Sequence, residues 1–160
     1  GIVLFLTGWC VNSNIDLSII VISLPYMLCF LAVTILTAIP DIKGDLNINK
    51  ITLPIKYGKE QSLLLAVFLV LGAFILALKN NDPIISTASL ISIPFYIFNL
   101  FSAKLNNILR TIRFSIFNLS FFLMCVFPYL FLALGINFYL IKYYYWHRFG
   151  LHYISFLIDE

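Results

Sequence analysis

Charge is what this chain has least of. Of its 160 residues, 11% are charged and 62% are hydrophobic, where a soluble domain carries about 25% charged and 45–50% apolar residues. That deficit excludes an ordinary soluble domain. A basic excess is missing too: ten Lys and Arg against seven Asp and Glu leave a net charge of +3, which does not mark a nucleic-acid partner. Cysteine is sparse. Cys10, Cys29 and Cys125 each sit inside an apolar run, without the short paired spacings of a zinc site, and read as reduced, buried small hydrophobes. His147 and His152 lie five apart in an aromatic tail and read as membrane-surface residues rather than metal ligands.

What is abundant is uncharged length. Residues 17–39, 62–78, 83–101 and 114–141 contain no charged side chain. Each approaches or exceeds the roughly 17–25 residues a helix needs to cross a bilayer. The expected architecture is therefore all-α, a multi-span transmembrane helical bundle forming a single membrane domain over 1–160. Its spans are expected near 17–38, 62–79, 83–101 and 114–138. The apolar run over 2–11 is too short to cross hydrocarbon and has no basic region ahead of it, as a signal peptide would. It reads as the tail of a helix that begins upstream, so the chain is expected to be N-terminally truncated.

Helices alternate sides, which sorts the cations. Loops 40–61 and 102–113 hold Lys43, Lys50, Lys56, Lys59, Lys104, Arg110 and Arg113, while the other side holds Lys79, Lys142 and Arg148. The positive-inside rule then puts loop 39–61 in the cytoplasm, in an integral protein of the inner or plasma membrane. Tyr143, Tyr144, Tyr145 and Trp146 suit an aromatic belt among membrane lipids at the opposite interface. Pro25, Pro94 and Pro128 fall inside spans and are expected to kink them. Asn99, Ser102, Asn106, Asn107 and Asn118 are expected to bond between helices, at about 0.6–2 kcal/mol each.

The segment AIPDIKGDLNINKITLPIKYG, residues 38–58, holds Asp41 and Asp45 with Lys43, Lys50 and Lys56 close by. Pro40 is suited to open a helical turn, which puts the two carboxylates at i and i+4 on one face. Unpaired, they repel. A hard divalent cation would turn that repulsion into a site, because Mg²⁺ is commonly held by one or two carboxylates plus substrate phosphates. The lysines would hold the same phosphates as point charges. Spacing alone leaves a second reading open, a solvated polar connector whose surface ion pairs are worth under about 1 kcal/mol. Asn49 is suited to left-handed backbone geometry, Thr52 and Pro54 mark a chain reversal, and Gly58 closes the loop.

The run Pro40-Asp41-Ile42-Lys43-Gly44-Asp45, then Lys50, Thr52-Leu53-Pro54-Ile55 and Gly58, resembles the second aspartate-rich motif of the UbiA superfamily of intramembrane prenyltransferases. The tail Tyr144-Tyr145-Trp146-His147-Arg148-Phe149-Gly150 is more weakly similar to the end of such proteins. The resemblance implies a fragment of a nine-helix prenyltransferase fold, spans five to nine. It implies transfer of a polyprenyl group from polyprenyl diphosphate to an aromatic quinone precursor or another lipophilic, lipid-like acceptor. Asp41 and Asp45 would be ligands to Mg²⁺, and Lys50, with Lys43, would bind the diphosphate. Ala38 stands where many members carry a further aspartate, and Asn49 where a glycine is frequent. The family's first aspartate motif has no counterpart here, so the fragment alone is expected to be inactive. The alternative is a non-catalytic membrane protein, a transporter fragment or degenerate relative, in which the aspartate loop is only a connector.

Overall fold

The computed structural model describes residues 16–150. The expected partial span at 2–11, with Cys10, and the tail residue His152 lie outside the described residues. Among the described residues there are seven helices and no strand: α1 (Leu17–Ala38), α2 (Ile42–Asn47), α3 (Leu53–Tyr57), α4 (Lys59–Lys79), α5 (Pro83–Phe101), α6 (Leu105–Val126) and α7 (Tyr129–Phe149). Four of them, at Ser18–Ala38, Lys59–Lys79, Pro83–Phe101 and Leu105–Val126, are long and apolar enough to cross a membrane. The chain divides into two compact units, Gly1–Leu119 and Ser120–Glu160.

In the first unit α4 is the central element. It packs on α1 and on α5. Its buried residues are Ser62, Leu63, Ala66, Val67, Val70, Ala73 and Ala77, a stripe at three- and four-residue spacing. Small side chains on such a stripe let membrane helices approach closely, where packing rather than water exclusion drives association. Ala32, Ile35, Leu36 and Ile39 of α1 meet Leu63, Ala66, Val67 and Val70 of α4, with Tyr96 of α5 and Ile108 and Ile112 of α6 completing the cluster.

Two polar contacts fix the opposite ends of this bundle. At one end Lys59 Nζ donates to the Ala103 carbonyl, so the connector from α5 to α6 lies beside the start of α4. At the other, Asn80 Nδ2 donates to the Val21 carbonyl at 2.9 Å. The second contact has a cause in the sequence. Pro25 lies inside α1 and has no N–H to give the carbonyl four residues back, which is Val21. Asn80 satisfies the freed acceptor from a neighbouring connection, as apolar surroundings demand. Asn80→Leu is expected to destabilise the protein by about 0.5–1.5 kcal/mol, measured as a lower midpoint in denaturant titration of the detergent-solubilised protein; an unchanged midpoint would refute that role for Asn80.

The turn 80–82 is built locally. Asn81 takes φ 53, and Asp82 caps α5, its Oδ1 accepting from the N–H groups of Ile84 at 3.0 Å and Ile85 at 3.2 Å. Pro83 opens the helix, where its missing N–H is no loss. Between α5 and α6, Asn99 Nδ2 donates to Thr111 Oγ1 at 2.8 Å, and Asn118 Nδ2 reaches Ser92 Oγ at 3.5 Å. The rings of Phe95 and Phe114 also meet between these helices, tilted by 40° with centroids 4.2 Å apart.

The last uncharged run departs from expectation. It is not one span over 114–138. α6 begins at Leu105, so Arg110 and Arg113 are helical residues rather than loop residues, and it ends at Val126. Pro128 sits in the break, and α7 starts at Tyr129. Proline there withholds its N–H from the preceding turn and stops α6. In the second unit α7 has no buried residue and ends at Gly150 in left-handed geometry, φ 64. Its last turns carry an aromatic cluster, with Arg148 over the rings of Tyr144 and Phe149 at 5.8 and 5.7 Å.

Candidate metal and diphosphate site

The aspartate segment is two short helices rather than an open loop. Asp41 is the N-cap residue of α2, and the Asp45 N–H donates to the Asp41 carbonyl at 2.8 Å. That bond sets the two aspartates one turn apart. After Asn47 the chain reverses. Asn49 adopts φ 55, and the Lys50 N–H returns to the Asp45 carbonyl at 2.9 Å. The reversal carries the Lys50 side chain back over α2, where Nζ meets Asp45 Oδ1 at 3.1 Å. Gly58, at φ 88, then joins α3 to α4. Its carbonyl accepts from Ser62 Oγ at 2.8 Å.

The two carboxylates share a turn but not an environment. Asp45 is only 7% exposed, whereas Asp41 is exposed. Burying a carboxylate is costly unless it is paired, and the Lys50 ammonium supplies the pairing. The Lys50 side chain is itself 60% exposed, so its charge stays in reach of an incoming anion. Lys43 is exposed on the same short helix, and no contact brings it to Asp45. Thr52, which entered from the sequence only as a motif residue at a chain reversal, contributes a buried hydroxyl: its Oγ1 has no hydrogen-bond partner. A Thr hydroxyl is both donor and acceptor, so an orphaned one two residues after Lys50 is a candidate contact for a phosphate oxygen. The signal available for it was its place inside the motif.

The donor set suits Mg²⁺ of the substrate-bridging kind. Among the described residues no group of three or more His, Cys, Asp or Glu side chains could hold a metal ion, so a cage made of protein alone is not what α2 offers. Two carboxylates a turn apart, one of them buried, are the share of ligands that a protein gives Mg²⁺ when phosphates and water supply the remainder.

A family model described as the UbiA prenyltransferase family matches residues 1–122. The chain belongs to the UbiA prenyltransferase family. The match takes in α1 to α5, the whole aspartate segment and most of α6, and stops before α7; the aromatic tail is outside it. No curated protein and no solved structure matches this chain. As a UbiA-family protein with four helices suited to crossing a bilayer, it is an integral membrane protein with a prenyltransferase-type function.

Proposed function

We propose that this protein transfers a polyprenyl group from its diphosphate to an aromatic quinone precursor, or to another lipophilic acceptor, within the membrane, and that the reaction depends on Mg²⁺. The observation that carries the reading is the buried Asp45 carboxylate, paired to Lys50 at 3.1 Å inside a segment matched by the family. A buried acid at a membrane helix end needs a partner, and this one keeps an exchangeable cation.

Asp45 and Asp41 would hold the metal. Bound there, Mg²⁺ supplies Lewis-acid neutralisation of the diphosphate as it leaves. The residues of the chain do the remaining work. Lys50 and Lys43 place positive charge where the leaving group gathers negative charge, the kind of preorganised stabilisation that lowers such barriers. The Thr52 hydroxyl offers a hydrogen bond to a phosphate oxygen. The apolar helices keep water from the allylic carbon, so that the acceptor rather than water captures it. The experiment is a prenyl-transfer assay on the product of the complete gene, comparing wild type with the Asp41 and Asp45 alanine variants, in Mg²⁺ and in chelator. Full transfer in chelator would overturn the reading and leave the segment a polar connector.

The orientation belongs to the same proposal. The cations of loop 39–61 favour the cytoplasmic side, and the Lys59–Ala103 contact keeps the 102–104 connector at that end. With Cys10, Cys29 and Cys125 replaced, a cysteine at Asn81 is expected to react with a membrane-impermeant thiol reagent on intact cells. One at Asn47 should react only after the membrane is opened. Labelling of position 47 from outside would invert the topology.

A further inference from the structure

Lys50 has two demands on it. The proposed reaction asks it to hold a diphosphate, while in the structure its Nζ is committed to Asp45 Oδ1 at 3.1 Å. Asp45, one of the two carboxylates proposed to hold the metal, is thus occupied by an ammonium. We infer that Lys50 is the resident counter-ion of Asp45 and exchanges between two partners: it neutralises Asp45 when the site is unloaded, and swings to the diphosphate when substrate arrives, releasing the carboxylate for the metal. The inference rests on the proposed metal and diphosphate site and adds to it a coupling between the two ligands.

Three features support the exchange. Asp45 is 7% exposed, and a buried carboxylate left without a cation is strongly disfavoured, so some positive charge must stay with it in every state. Lys50 is attached to a long flexible stem whose side chain is 60% exposed; it can leave without dragging buried packing apart. The backbone at Lys50 is fixed independently of its side chain, through the N–H bond to the Asp45 carbonyl at 2.9 Å and the left-handed Asn49. The ammonium can therefore move while α2 and the turn after it hold their shape. The Lys56 ammonium lies instead over the Tyr57 ring at 5.2 Å, and no ion pair joins it to Asp45.

The exchange makes an unusual demand. A lysine that served only the diphosphate would leave metal affinity unchanged in the absence of diphosphate. A lysine that competes with the metal for Asp45 lowers it, and its removal raises it. By linkage, a ligand that draws Lys50 away strengthens metal binding by the same factor that the metal strengthens the ligand's.

The test uses Mn²⁺ as the probe, with the detergent-solubilised product of the complete gene and no diphosphate present. Free Mn²⁺ is measured by electron paramagnetic resonance, and thermal midpoints are recorded with and without the ion. Lys50→Met is expected to bind Mn²⁺ about tenfold more tightly than wild type, within the 5–150-fold span common for coupled sites. Its thermal midpoint should fall without Mn²⁺ and recover more on adding it. Lys50→Gln, which keeps a polar head and guards against misfolding of the methionine variant, should shift affinity in the same direction. Lys56→Met removes the same charge from the same segment and should leave Mn²⁺ affinity within about twofold of wild type, as expected for an exposed charge screened by solvent. Unchanged or weaker Mn²⁺ binding in both Lys50 variants overturns the exchange while leaving the metal site standing. Mn²⁺ binding by none of the proteins overturns the metal site and the exchange together.

Discussion

Asp45→Ala is expected to lower prenyl transfer by at least 10–100-fold while the protein remains folded and membrane-inserted. The lower bound follows from metal sites at large, where even the partners behind the ligands are worth about 10–100-fold in affinity or activity. Asp45 is expected to exceed Asp41 in effect, because its carboxylate is buried and paired while that of Asp41 is exposed. Asp45→Ala also strands the Lys50 ammonium. That cost is small, since the Lys50 side chain is 60% exposed and water takes up the lost pairing. Stability should therefore move by less than about 1 kcal/mol, the range of surface ion pairs. The measurement is transfer of labelled prenyl group in reconstituted vesicles at saturating Mg²⁺, set beside a thermal midpoint. A variant with full activity and an unchanged midpoint would show that Asp45 is only a connector residue paired to Lys50 and no metal ligand. A loss of activity matched by collapse of the fold would show that it is structural.

The contrast between Asp41 and Asp45 was not legible in the sequence, where both are carboxylates on one turn. It arises from tertiary placement: Asp45, within α2, is buried, while Asp41, the N-cap residue just ahead of it, is exposed. The partnership with Lys50 was equally hidden, because Lys43 stands two residues from Asp45 and Lys50 five, so proximity along the chain favours the lysine that does not pair. The reversal at Asn49 decides between them, and Asn49 shows only a tolerance of left-handed geometry, not that the tolerance is used. The Asn80 to Val21 bond joins positions 59 apart; the sequence displays the acceptor freed by Pro25 but not the donor. The spans themselves were legible wherever charge bounds them, as at Pro83 and Phe101. They were misplaced where charge lies inside a helix. Arg110 and Arg113 pushed the expected start of the last span to 114, although long basic side chains near a membrane helix end reach back to the interface. Within that same run hydropathy is blind to Pro128, since proline interrupts backbone bonding without interrupting apolar character.

The second large effect is expected in the small-residue seam of α4. Ala66, Ala73 and Ala77 are each 0% exposed, and Ala66 sits in the cluster with Ile35, Leu36 and Ile39 of α1. Ala66→Leu adds three carbons where no space is left, and overpacking of that kind costs about 1–3 kcal/mol. The penalty should sit near the upper end, because α4 packs on both α1 and α5, so relief on one side loads the other. Gly72 gives the internal control. A Cβ built there would lie 3.7 Å from Leu28 Cδ1, an ordinary contact, and removing a glycine from a helix interior gains up to about 1 kcal/mol of helix propensity. Gly72→Ala should therefore leave the protein as stable as wild type or slightly more so, while Ala66→Leu weakens it. Both are read from denaturant midpoints in one detergent. The same packing argument ties the seam to the site: Leu63 and Ala66 lie within two turns of Lys59, where α4 begins beside the aspartate segment, so displacement of α1 from α4 is expected to move α2 as well. Ala66→Leu should accordingly lose prenyl transfer beyond what its unfolded fraction explains. Activity that falls only in step with the folded fraction would show that the seam holds the bundle without positioning Asp45.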